Sequence, residues 1–126
     1  MSRERLPDTR ESITHRVELT DPISGVHDIY LIVGLYPDGR PGELFVKVGK
    51  EGSTIRGLLD TIGIQTSLLL QYGVSLDHIC QKLQDVKFAP YGKTDNPKIP
   101  ECSSITDYIF HWLDKTFGKD REVEHV

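Results

Sequence analysis

The sequence predicts an α+β domain, in which an antiparallel three-stranded sheet (a hairpin plus one strand) packs against about three helices. In the first third of the chain, apolar and polar residues alternate as they do in strands. A dense turn signal, Pro37–Gly42, separates two of the strand-like stretches. Beyond residue 52 the apolar residues recur at helical spacing instead. Strands followed by helices indicate an α+β fold.

Three stretches carry the strand signals. Ile13–Leu19 alternates apolar and polar residues, which predicts a half-buried strand. His27–Tyr36 is apolar on both faces, which favours a central strand, and Glu43–Val48 completes the hairpin. Few helices follow to cover the two-faced strand. One sheet face is therefore expected to remain for a partner or for a second copy of the chain.

Three stretches carry helix signals. Gly73 is a natural stop for the first helix, and Ser75 is a candidate cap for a short second helix. Ser104 with Asp107 forms a capping-box pattern ahead of the last helix. Each helix has apolar residues at helical spacing: Ile55, Leu58, Leu59, Ile62, Leu69 and Tyr72 in the first; Leu76, Ile79, Cys80 and Leu83 in the second; Ile105, Tyr108, Ile109, Trp112, Leu113 and Phe117 in the last.

The predicted organisation is one domain over residues 12–118, preceded by a polar arm (1–11) and followed by a charged tail (119–126). The segment Asp85–Cys102 contains three prolines and is expected to be an irregular loop with a functional or docking role. A length of 126 residues suits one core. The net charge of −4 argues against a nucleic-acid partner. No apolar run approaches a membrane span or a signal-peptide core, so we expect a soluble, cytoplasmic protein.

The cysteines and histidines indicate neither a metal site nor a catalytic set. The two cysteines, Cys80 and Cys102, imply no disulfide framework, and the five histidines show no metal-ligand spacing. Cys80 lies on an apolar helical face and is expected in the core. Cys102 is either an unremarkable loop cysteine or a thiolate stabilised by the nearby helix start.

The clearest candidate ligand site lies between the hairpin and the first helix. Gly52 permits a tight turn, and Ser53 or Thr54 is a candidate helix cap. Free amides of a first helical turn bind anions, with Lys50 and, at lower rank, Arg56 as charged neighbours. Two interpretations remain open: an ordinary capped helix, or a site for the phosphate of a nucleotide.

Two further groups are candidate contacts with a partner or a ligand. Arg40 and Glu43 flank the hairpin turn, and they are either solvated loop charges or a surface for a partner domain. Lys87, Phe88 and Tyr91 place a cation and two rings together ahead of the long loop. These rings either stack on a base or pack the loop onto the core.

Several stretches taken together, in this order and spacing, resemble one family, the TSCPD domain at the C-terminal end of adenosylcobalamin-dependent (class II) ribonucleotide reductases. The resemblance covers about residues 3–117. It departs at Lys87–Pro90, where relatives tend to have an Arg-Phe-Glu-Pro segment and this chain has Ala89 in place of the glutamate. The stretches that carry the resemblance are Arg5–Asp8, Ser12–His15, Val33–Glu43, Lys50–Thr54, Gln71–Val74 and Ser104–Leu113.

The resemblance implies a role in deoxyribonucleotide synthesis without catalysis by this chain alone. The thiyl-radical chemistry of the family needs a large barrel with its own cysteines, and neither Cys80 nor Cys102 matches those motifs. The adenosylcobalamin would belong to the catalytic chain, so no cofactor is expected on this one. A small subunit of a split reductase, a stand-alone paralogue and an excised domain all fit, and the initial methionine favours a stand-alone gene product.

Three functions from different classes follow. The first is an accessory module of a vitamin B12-dependent ribonucleoside-diphosphate reductase, with the catalytic chain as partner. The second is a free-standing protein that senses or sequesters a phosphorylated nucleotide. The third is a purely structural or interaction domain.

Overall fold

The computed structural model describes residues 2–118 and contains five strands and three helices. The predicted charged tail, 119–126, lies outside the described residues. The α+β class with an antiparallel sheet is confirmed, but three strands was too few. In chain order the elements are β1 Ser12–Asp21, β2 Gly25–Leu35, β3 Pro41–Val48, α1 Ser53–Gln71, α2 Leu76–Leu83, β4 Gly92–Thr94, β5 Glu101–Cys102 and α3 Ile105–Phe117.

The strands follow the order β3-β2-β1-β4-β5, with antiparallel pairing of β2 with β3, β1 with β4 and β4 with β5. The two strands missed from the sequence, β4 and β5, lie in the segment predicted to be irregular. They are three and two residues long, too short to show an alternating pattern. Pairing of Gly92 with Cys102 joins them to each other, and pairing of Thr94 with Leu19, which is remote in sequence, joins them to the sheet.

Contacts within the chain divide it into two compact units. Among the described residues, unit 1 comprises 2–16 and 29–74, and unit 2 comprises 17–28 and 75–118. The core of unit 1 alternates along its strands, with Ile29, Leu31 and Val33 buried in β2 and Leu44 and Val46 buried in β3. This alternation is the period-2 pattern expected of sheet residues with one face against a core.

The helix α1 forms where its spacing predicts, but it buries a different face. Of the apolar residues predicted for its buried face, Leu59 is buried, whereas Leu58, Leu69 and the C-cap residue Tyr72 are 60%, 41% and 43% exposed. Besides Leu59, the buried positions of α1 are Gly63, Thr66 and Gln71, and the helix packs against β3. Three of these four buried residues are small or polar, and much of the apolar surface of α1 is exposed.

The N-terminal segment, predicted to be a polar arm, is part of unit 1 and is hydrogen-bonded to its other residues. The Tyr36 hydroxyl donates to the Glu4 carbonyl at 2.6 Å, and the Glu4 amide donates to the Gln71 carbonyl at 2.9 Å. The Leu35 amide donates to the carbonyl of Glu11 at 2.9 Å. Backbone bonds of this kind are independent of side-chain charge, so polar composition did not reveal them.

Unit 2 is organised around α3. The predicted caps are present: the Ser75 hydroxyl accepts from the His78 amide at 3.2 Å, and the Ser104 hydroxyl accepts from the Asp107 amide at 2.9 Å. The apolar stripe of α3 is buried as expected, apart from the half-buried Phe117, but burial extends around the helix to Thr106 and Phe110. The helices α2 and α3 pack together. In the described part of the chain, no helix has the length and hydropathy that membrane crossing requires.

Candidate docking surface and ligand sites

The predicted phosphate site is an exposed helix start. Gly52, with φ −69° and ψ 171°, is the N-cap residue of α1, and among the described residues no side chain caps this helix. Ser53 and Thr54 lie inside the first turn, so their expected capping role was wrong. They are exposed, as are Lys50 and Arg56. The structure thus leaves nucleotide binding at this segment as a prediction.

Arg40 and Glu43 take part in ion pairs within unit 1. The Arg40 guanidinium contacts Asp38 at 2.7 Å and Glu4 at 3.2 Å, and it lies 4.6 Å from the centre of the Tyr36 ring. The hydrogen bonds that the guanidinium donates to Asp38 and Glu4 raise the pKa of Arg40. Glu43 receives two bonds from Arg10, at 2.6 and 2.9 Å. Both residues hold the hairpin and the N-terminal segment together, and a role in partner contact stays a prediction.

The rings of Phe88 and Tyr91 are about half exposed, at 49% and 48%. Their backbone is nevertheless anchored, since the Phe88 amide donates to the Ser103 carbonyl at 3.1 Å and the Tyr91 amide to Asp21 Oδ2 at 3.0 Å. Backbone amides of Ser24, Tyr91 and Ile23 lower the pKa of Asp21 to about 2. The loop is therefore attached through its backbone, whereas both rings keep an open face.

A groove of about 430 Å³ runs between β3 and α1 in unit 1. Its lining includes three exposed apolar side chains, Phe45 at 44%, Ile64 at 62% and Leu68 at 39%. Lys47 and Asp60 lie at its rim, 3.7 Å apart. Exposed apolar side chains that line one groove are typical of a protein-docking surface. The sequence predicted an open sheet face but not this groove, since a helical wheel for α1 does not show which face meets β3.

The close approach of α1 to β3 shapes this groove. A Cβ added at Gly63 would lie 2.7 Å from the Leu44 carbonyl oxygen. One turn further along α1, the Ser67 hydroxyl accepts from the Leu44 amide at 2.9 Å. The Gln71 side chain donates to the Gly42 carbonyl at 2.9 Å. The helix thus satisfies backbone groups that β3, as an edge strand, does not pair with a neighbouring strand.

In unit 2, a ligand-type group that follows α2, Asp85, meets two such groups of α3, Asp107 and His111. His111 Nε2 lies 3.0 Å from Asp107 Oδ1 and 3.3 Å from Asp85 Oδ1. Asp107 also accepts from the Asp85 amide at 2.6 Å and from the Ser103 amide at 2.9 Å. Sequence reasoning missed this cluster. The four-residue spacing of Asp107 and His111 was a usable signal, but nothing local indicates Asp85.

Both cysteines are buried thiols. Cys80 is 1% exposed, which confirms its expected place in the core, and burial raises the pKa of its thiol to about 12. Cys102 lies in β5 rather than in a loop and is 8% exposed. Burial also raises the pKa of Cys102, to about 11, so the alternative of a stabilised thiolate is wrong.

We expect neither thiol to react with iodoacetamide in the folded chain at pH 8, because alkylation needs the thiolate and access to it. Mass spectrometry after a timed exposure is the measurement. The same exposure in denaturant is the control and should label both cysteines. Rapid labelling of Cys102 in the folded chain would contradict the burial described here.

Comparisons with known proteins agree on one family. The TSCPD domain model matches residues 5–117. The chain is 50% identical over 115 residues to a vitamin B12-dependent ribonucleotide reductase of Rhodopirellula baltica, which is 91% of this chain and 11% of the relative. A protein of the same name from Streptomyces avermitilis is 40% identical over 111 residues, 88% of this chain and 11% of the relative.

A third such relative, from Bradyrhizobium diazoefficiens, is 36% identical over 125 residues, which is 98% of this chain and 10% of the relative. The chain thus spans about a tenth of the length of these curated relatives. No solved structure matches it. The family model covers most of the sequence, including both strands of the hairpin and all three helices, and on that coverage the chain belongs to the TSCPD domain family.

Proposed function

We propose that this chain is an accessory module of a vitamin B12-dependent ribonucleoside-diphosphate reductase, and that it docks on the catalytic chain through the groove between β3 and α1. The observation that carries the proposal is the set of exposed apolar side chains in that groove, Phe45, Ile64 and Leu68. Burial of such side chains against a partner removes apolar surface from water and so stabilises the complex.

The choice of occupant comes from the relatives. In each of them the matching region is part of one long chain named as a vitamin B12-dependent ribonucleotide reductase. A TSCPD domain in such a chain is tethered to the rest of the enzyme, which favours contact surfaces between the two. The catalytic part of such a reductase is therefore the partner that we assign to the groove.

The chemistry of the module supports a role without catalysis. Its two thiols are buried and have raised pKa values, so neither is suited to the thiol chemistry of a reductase. In this proposal the catalytic chain binds the cobalamin and carries out the reaction, and the isolated module turns over no ribonucleotide.

Two residues of α1 provide a matched test of the docking surface. Ile64 lines the groove and is 62% exposed, whereas Leu58 lies outside the groove lining and is 60% exposed. We expect Ile64→Asp to weaken binding to the source organism's reductase catalytic chain by about tenfold or more, because a charge would have to be desolvated in the interface. Leu58→Asp should leave the affinity unchanged. Native purification of the tagged chain with mass spectrometry identifies the partner, and surface plasmon resonance gives the affinities.

Three results would contradict this assignment. The first is that no reductase is found in the purified material. The second is that both substitutions weaken binding to the reductase equally, and the third is that neither substitution weakens it. Sedimentation equilibrium provides a further check, since a dimer that Ile64→Asp dissociates would assign the groove to a second copy of this chain.

A further inference from the structure

We propose that Asp85, Asp107 and His111 form a binding site for a divalent metal ion, with zinc as the best match to the ligand set. This site belongs to unit 2 and is independent of the docking proposal for unit 1. Within the described residues 2–118, the three side chains bring one imidazole nitrogen and two carboxylate oxygens within 4.8 Å of one another. Zinc accepts both kinds of ligand.

The distances match those between ligands of one ion. Ligand atoms about 2.1 Å from a zinc ion lie about 3.0 Å apart when they subtend a right angle and about 3.4 Å apart at the tetrahedral angle. His111 Nε2 is 3.0 Å from Asp107 Oδ1 and 3.3 Å from Asp85 Oδ1. These two distances therefore suit a single ion bound between His111 and the two carboxylates.

The three ligands differ in how firmly they are held. Asp107 has a side chain that is 6% exposed, and the amides of Asp85 and Ser103 orient its carboxylate. His111 shares α3 with it, one turn away, and is 31% exposed. Asp85 is 82% exposed and supplies the adaptable ligand. Orientation of a ligating carboxylate by such hydrogen bonds is usual in metal sites.

The surroundings favour a cation and leave room for further ligands. The three groups line an open depression of about 590 Å³. Its lining carries three carboxylates (Asp85, Glu101 and Asp107) against one lysine, Lys87. A divalent ion would offset this excess of negative charge. Three protein ligands and an open side correspond to a site that completes its coordination with water or a bound molecule.

Zinc titration of the chelator-treated chain, followed by isothermal calorimetry, tests the site. We expect one zinc ion per chain and a higher melting temperature with zinc, since binding stabilises the folded state. Asp85→Asn should weaken binding by more than about tenfold. Asn tolerates the positive φ of residue 85, which is 67°, and the side chain is exposed, so the fold should be kept. His111→Ala should weaken zinc binding as strongly.

His78→Ala is the control, because His78 is an exposed histidine outside the cluster. It should bind zinc as the wild-type chain does. Absence of zinc binding by the wild-type chain would overturn the proposal, and the three side chains would then form only a hydrogen-bonded cluster. Binding that Asp85→Asn and His111→Ala leave unchanged would overturn it as well.

Discussion

Gly63→Ala should lower the free energy of unfolding by about 1–3 kcal/mol, the usual cost of an added group in tightly packed surroundings. The new Cβ would lie 2.7 Å from the carbonyl oxygen of Leu44, and that atom belongs to the backbone of β3. A backbone atom cannot rotate away as a side chain can, so α1 has to move. The movement would also disturb the bonds between Ser67 and Leu44. Urea denaturation followed by circular dichroism measures the effect.

Gly57→Ala is the matched control in the same helix. A Cβ at Gly57 would meet nothing within 4 Å, and residue 57 is exposed. Alanine there should raise the free energy of unfolding by about 0.5–1 kcal/mol, because glycine is the weaker helix former. The two substitutions make the same chemical change with opposite expected signs. Equal free energies of unfolding for the two variants would show that α1 can shift away from β3 without loss of stability.

Asp107→Asn should lower the free energy of unfolding by about 2–4 kcal/mol, because a buried carboxylate that accepts several hydrogen bonds is replaced by an amide. Its two oxygens accept from the amides of Asp85 and Ser103, at 2.6 and 2.9 Å. An asparagine side chain offers one acceptor oxygen, so one of these backbone donors would face an NH₂ group and lose its partner. Thermal and urea unfolding give the change.

Asp60→Asn provides the control for this second substitution. Asp60 is 55% exposed and pairs with Lys47 at 3.7 Å, a surface ion pair of the kind that contributes about 0–1 kcal/mol. Its loss should therefore be small. A similarly small effect for Asp107→Asn would indicate that water replaces the carboxylate as acceptor, and the start of α3 would be less dependent on this residue than its burial implies.

Asp107 also illustrates how much a local pattern predicts. The Ser104–Asp107 spacing predicted a capping box, and the Ser104 half of it is present. The carboxylate, however, accepts from Ser103 and from Asp85, which is 22 residues earlier in the chain. The bond to the Ser104 hydroxyl followed from the three-residue spacing at the start of a helix, whereas the bond from the Asp85 amide depended on where the fold places Asp85.

The candidate sites show the same division. Lys50–Arg56 was the most prominent sequence motif, and it lies at an exposed helix start. The proposed docking groove is lined instead by Phe45, Ile64 and Leu68, which no motif singled out. The orientation of α1 depends on the absence of a side chain at Gly63, which lets the helix approach β3 at that position. A helical wheel considers only the polarity of the side chains, so it cannot show that a glycine lets the helix approach a strand closely.

The sequence by itself determined the type and order of the long elements, the hairpin turn and the caps at Ser75 and Ser104, because these depend on residues within a few positions of one another. It also determined the family, because the matching stretches are spread in order along the chain. Tertiary structure alone decided the short strands β4 and β5, the buried face of α1 and the meeting of Asp85 with His111. These features depend on tertiary contacts, and the free energy of such contacts cannot be inferred from the pattern of neighbouring residues.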